Sequence, residues 1–131
     1  MPGRTYVLRA RHSRMADLPR RQYIASADAT ISLALKDFPD EVIITKGTAC
    51  AIILPAPTAG KPEAGGHDGL QIRFLSTTAA AHTVTNTSPG FNNGSTASDV
   101  GTFGAAIANT FTVEAYNGIW YVVANTNVTL A

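Results

Sequence analysis

The closing stretch "TFTVEAYNGIWYVVANTNVTLA" (residues 110–131) decides the fold class. Phe111, Val113 and Ala115 alternate with Thr112, Glu114 and Tyr116, the two-residue period of a half-buried strand. Asn117-Gly118 follows, the pair best able to supply the two positive φ angles of a type I′ turn, so Ile119 to Val123 is predicted to return antiparallel as a hairpin. Phe111, Val113, Trp120 and Val122 are the apolar residues expected to hold the core of the body or the seam between its copies.

Working back from the hairpin, the same period recurs. "LQIRFLST" (70–77) sets Leu70, Ile72 and Phe74 inward and Gln71 and Arg73 outward, and "DATISLALKDF" (28–38) places Ile31, Leu33 and Leu35 on one face. "EVIITKG" and "TACAIILPAP" are short β-branched runs, the second stopped by Pro55 and Pro57, which cannot donate to a sheet ladder. Between the runs lie stretches rich in glycine, asparagine and proline: 58–69, and "PGFNNGSTASDVG" (89–101). "FGAAIAN" has the composition of a helical turn, but its neighbouring glycines oppose a sustained helix. No internal repeat of 20 to 50 residues is visible, which argues against a solenoid or propeller. The expected architecture is all-β: a single jelly-roll-like sandwich of about seven or eight short antiparallel strands over residues 28–131.

The charge is placed unevenly. Residues 1–23 hold Arg4, Arg9, Arg11, Arg14, Arg20 and Arg21 against Asp17, a balance of +5, whereas the rest of the chain holds four bases and eight acids, a balance of −4. Residues 1–27 therefore read as an extended basic N-terminal arm on a mildly acidic body. Tyr6, Val7, Leu8, Met15, Leu18, Tyr23 and Ile24 are interleaved with the arginines. A purely electrostatic tail needs no such apolar anchors, and arginine pairs bidentately with carboxylates on a protein surface. The same arginines can neutralise phosphates, but the acidic body would repel a polyanion, which argues against a nucleic-acid partner. No apolar run approaches the length needed to span a bilayer, so no membrane partner is expected.

Few groups bear on catalysis. His12, His67 and His82 lack metal-ligand spacing, and Cys50, the one cysteine, permits neither an internal disulfide nor a cysteine-based zinc site. Inside an apolar run with no histidine near it in sequence, Cys50 reads as a small buried core residue. "GGHDG" (65–69) has the glycines of a phosphate loop without its lysine. No cofactor, metal or enzymatic activity is expected.

The segments "STTAAAHTVT", "TFGAAI" and "EAYNGIWYVV", with the glycine-rich loop around Phe91 and Asn92, resemble a small β-domain of tailed-phage virion proteins, the capsid cement or decoration and head-fibre proteins. The likeness covers roughly residues 40–131. It implies a homotrimer on the exterior of an icosahedral capsid, clamping neighbouring copies of the major capsid protein. Arg4, Arg9, Arg11, Arg14, Arg20 and Arg21 would then pair with capsid carboxylates while Tyr6, Leu8 and Tyr23 fill pockets. The rival expectation is a receptor-binding fibre tip, whose outer loops would meet a host-surface glycan; Phe91 is the aromatic residue those loops offer, and an exposed aromatic pair in a shallow groove would favour that reading. A small hydrolase and a head-to-tail adaptor are further alternatives.

Overall fold

The computed structural model describes residues 21–131. In chain order the strands are β1 (Gln22–Ala25), β2 (Ala29–Thr30), β3 (Glu41–Ile44), β4 (Ala51–Ile53), β5 (Gln71–Ser76), β6 (Thr83–Thr85), β7 (Val100–Phe103), β8 (Thr110–Tyr116), β9 (Ile119–Thr126) and β10 (Val128–Leu130). They form two five-stranded sheets, ordered β1-β3-β5-β8-β9 and β10-β7-β6-β4-β2. Both inner faces are apolar, as a sandwich core requires. No α-helix occurs among the described residues; three short 3₁₀ turns punctuate the loops.

The all-β, two-sheet expectation holds, but antiparallel pairing throughout does not. β1, β3 and β5 run parallel in one sheet, as do β2, β4 and β6 in the other. The reason lies in the connections. Residues 26–28, 45–50 and 77–82 each carry the chain across to the opposite sheet, and longer arcs bring it back. The first half is thus wound as three coils, which gives parallel neighbours where hairpins would give antiparallel ones. An antiparallel jelly-roll order is not what this pairing makes. The coils are also unequal: Gln22 faces Glu41, nineteen residues on, and Glu41 faces Arg73, thirty-two residues on. Unequal coils explain why no repeat shows in the sequence of a wound chain.

The second half closes by antiparallel strands. β8 and β9 form the expected hairpin, with Asn117 at φ 51° and Gly118 at φ 83° in its turn. β7 and β10 complete the other sheet. Phe111 is the hub of the core: its ring meets Phe91 edge-on at 5.2 Å between centroids and lies 6.3 Å from Phe74 and 6.4 Å from Phe103. It reaches the facing sheet at Gly101, where an added Cβ would stand 3.2 Å from the ring. Trp120 is fully buried, and its indole N–H donates to the Pro55 carbonyl at 2.8 Å. Phe111, Val113 and Trp120 lie in the core of the single chain, with Val122 partly buried beside them.

The folded body starts earlier than residue 28. Gln22–Ala25, which the charge pattern assigns to the arm, pairs along its whole length with β3. Backbone pairing asks little of side chains, so four residues beside an arginine pair gave no strand signal of their own.

Candidate docking site at the open end of the coil

The first coil ends both sheets on the same side, with β1 and β2 as their edge strands. Tyr23 heads an inward-facing row that continues through Val42, Phe74 and Phe111. Those three are fully buried, whereas Tyr23 is 41% exposed because no further strand covers it. Ile24, on the outer face, is 52% exposed. Between the two edges lies a groove of about 420 Å³, lined by Gln22, Tyr23, Thr30 and Pro39 and by the charged Arg21, Lys36 and Asp37.

Arg21 occupies this corner and is not a free cation. Its guanidinium donates to the carbonyls of Leu35, Lys36 and Phe38 at 3.0–3.4 Å, and its backbone N–H donates to Asp40 Oδ2 at 3.0 Å. Asp40 and Glu41 in turn donate their N–H groups to the Arg21 carbonyl. Arg21 therefore fastens the start of β1 to the first return arc, a role within the fold that the charge pattern did not suggest. Next to it Glu41, almost fully buried, accepts from Gln22 Nε2 at 3.0 Å and from the Arg73 guanidinium. Of the residues expected to dock, Arg21 and Tyr23 fall in this corner. Arg4, Tyr6, Leu8, Arg9, Arg11, Arg14 and Arg20 lie outside the described residues.

A second cluster is one the sequence did not announce. The coil brings Cys50 beside His82, and Asp28 beside Lys46, where Asp28 Oδ1 and Lys46 Nζ are 2.8 Å apart. The geometry does not join Cys50 and His82 as nucleophile and base. His82 Nδ1 accepts the backbone N–H of Cys50 at 3.1 Å, and the Cys50 thiol donates to the Ala27 carbonyl at 3.4 Å. Burial pushes the thiol pKa up, away from thiolate. Burial likewise pushes His82 below its ordinary value, against the hydrogen bond it makes to the Thr78 backbone. The hydrogen bond to Lys46 holds Asp28 below the usual carboxylate range, and the same contact raises Lys46. The arrangement ties two sheet-to-sheet connections, residues 46–50 and 78–82, to each other.

His67 plays a matching part on the return arcs. Its Nδ1 accepts the Thr58 N–H at 2.8 Å, Nε2 donates to the Leu33 carbonyl at 2.7 Å, and its ring stacks on Phe38. "GGHDG" is therefore a pinned turn, with His67 buried. Among the described residues, no group of three or more His, Cys, Asp or Glu side chains is placed to hold a metal ion, and no helix is long and apolar enough to cross a membrane.

Two observations bear on the glycan alternative. Phe91 is fully buried against Phe111 and offers nothing to a ligand from the 89–101 loop. On the outer face of the hairpin, however, Tyr116 (61% exposed) and Tyr121 (37%) line a depression of about 340 Å³ with Glu114 and Val123. The Glu114 carboxylate accepts from Gln71 Nε2 at 2.7 Å. Alternation places Glu114 and Tyr116 outward, and the two-residue turn sets Tyr121 directly opposite Glu114. No protein-family model matches this chain, and no curated protein matches it in sequence.

Proposed function

We propose that this protein is a capsid cement or decoration protein of a tailed phage, which binds the exterior of the mature head as a homotrimer and clamps neighbouring copies of the major capsid protein. One observation carries the reading: the basic, apolar-studded N-terminal stretch enters the body at an open sheet edge whose core residue Tyr23 is left partly uncovered. A rigid bead with an attachment segment at its unfinished end suits static clamping, in which affinity comes from burial and arginine pairs. Three linked attachment points slow dissociation further. The test is to mix the full chain, and a chain lacking residues 1–20, with empty expanded capsids and to count bound copies. Saturable binding by the full chain and its loss on truncation support the reading; equal binding by both overturns it.

The Tyr116–Tyr121 depression favours a second reading, a module that stacks a sugar ring of a host-surface glycan on the tyrosines, with Glu114 accepting its hydroxyls. Quenching of tyrosine fluorescence by saccharides, abolished in Tyr121→Ala, would support it; no response to any saccharide would remove it.

A further inference from the structure

The two ends of the sandwich are finished differently, and the open one states what it lacks. A wound chain buries its core by stacking coils, so a terminal coil needs a cap. An edge strand with neither cap nor charge is a template for another strand. At the far end, Asn92 Oδ1 accepts the Val122 N–H of the edge strand β9 at 2.9 Å, and Phe91 is buried beside it. At the near end Tyr23, over the groove, and Ile24, on the outer face, remain exposed along β1.

The acids at the near end are already matched: Asp28 pairs with Lys46, Asp37 with Lys36 and Glu41 with Arg73, and Asp40 accepts the Arg21 N–H. What the open end lacks is therefore a strand, and the same sequence holds a segment patterned as one. Residues 1–20 hold five arginines against Asp17, and within them "TYVLR" (5–9) alternates as a strand does, with Tyr6 and Leu8 on one side and Thr5, Val7 and Arg9 on the other.

We propose that the open end of the first coil takes the Thr5–Arg9 segment of a second copy, added as a strand along β1. Tyr6 and Leu8 cover Tyr23 and enter the groove beside it, and Arg9 faces outward. Twenty residues are about the length of the first coil, nineteen residues from Gln22 to Glu41. Continuing the winding within one chain would nevertheless bring Ala10-Arg11-His12-Ser13-Arg14 onto the second sheet, with arginine or histidine at inward positions that β4 and β6 fill with Ile52 and Val84. A segment from a neighbour has to supply only the strand, and the exchange links copies head to tail, into a ring when the rotation between them closes. The proposal rests on residues 1–20 being the docking segment and adds what their apolar half docks into; the outward arginines stay available for capsid carboxylates.

The experiment uses the isolated full-length protein. A tagged chain carrying Ile24→Cys is mixed with an untagged chain carrying Val7→Cys and treated with a short bismaleimide, with the unsubstituted protein as control for Cys50. The expected product is a covalent pair of one tagged and one untagged chain. In sedimentation, the full chain is expected as an oligomer and the Tyr6→Asp/Leu8→Asp variant as a monomer, at least tenfold weaker in self-association, with Trp120 fluorescence unchanged. Cross-linking only within a chain that carries both cysteines, no cross-link in the mixture, or an oligomer that survives the aspartates each overturns the exchange. Capsid binding is scored separately with Arg4, Arg9, Arg11 and Arg14 replaced by alanine. Lost exchange with retained capsid binding overturns this inference alone, and the reverse result overturns the docking function alone.

Discussion

The closed end of the sandwich and its open end are built from the same kinds of strand but are stabilised differently. At the closed end, β8 and β9 are joined by a two-residue turn, Trp120 is bonded to Pro55 O, and the loop holding Phe91 and Asn92 folds over the edge. At the open end, the strands β1 and β2 are four and two residues long, and polar side chains hold the corner: Arg21 on three carbonyls, Asp40 on the Arg21 peptide, Gln22 on Glu41. One end draws its stability from burial and the other from hydrogen bonds between backbone and charged groups. Substitutions at the closed end should therefore destabilise the whole domain, while those at the open end should act mainly on association.

The largest effect is expected at Trp120. Replacing it by alanine removes a fully buried ring and leaves the Pro55 carbonyl without its donor, which should lower unfolding free energy by about 3–5 kcal/mol in urea denaturation. Gly101→Val comes next. Its Cβ would stand 3.2–3.3 Å from Phe111 ring carbons and from Val128 Cγ1, an overpacking that should cost roughly 1–3 kcal/mol. Combined with Phe111→Leu, which frees space at that contact, the two losses should fall short of additive; full additivity would mean that Phe111 does not bridge the sheets at this point.

Residues whose partners are local announced the closed end; those whose partners are set by winding did not announce the open one. Asn117-Gly118 fixes a hairpin by its own φ angles, and Ile72 and Phe74 declare their face by alternation. β1 is a strand only because β3 lies beside it, nineteen residues away, and "DATISLALKDF" yields just two strand residues before Ile31 turns into the core. The pairing of Cys50 with His82 spans thirty-two positions and depends on the same coil. Tyr116 and Tyr121, by contrast, meet on a diagonal of the β8–β9 hairpin, which the Asn117-Gly118 turn fixes locally.

Acid should loosen the coil before it affects the hairpin. His82 is buried with Nδ1 accepting the Cys50 N–H, a bond available only to the neutral ring. Its folded pKa lies below the ordinary 6.5, so the unfolded chain binds the proton more readily. The stability it contributes is complete above 6.5 and is lost as pH falls from there through the folded value. Asp28, whose pKa is lowered from 3.8, contributes in a separate window at still lower pH. Urea midpoints measured between pH 8 and 5 should be flat at first and then fall, with a shallower fall in His82→Gln. Equal slopes in the two proteins would assign the acid sensitivity elsewhere.

Smaller effects separate the two edges. Asn92→Gly keeps the positive φ of 57° available while deleting the acceptor for the Val122 N–H. It should cost about 1 kcal/mol, with faster hydrogen exchange at Val122. Tyr23→Ser should be the mildest: the side chain is 41% exposed in the single chain, so the burial lost on folding is partial and the cost under about 1 kcal/mol. What makes the substitution informative is the contrast between its two readouts. If the open end is an unfinished core completed by another chain, Tyr23→Ser should leave the urea midpoint of the dilute monomer almost unmoved and weaken self-association markedly in sedimentation at higher concentration. A loss of stability comparable to that of Trp120→Ala would mean that the first coil is already as complete as the hairpin, and the distinction between the two ends would fail.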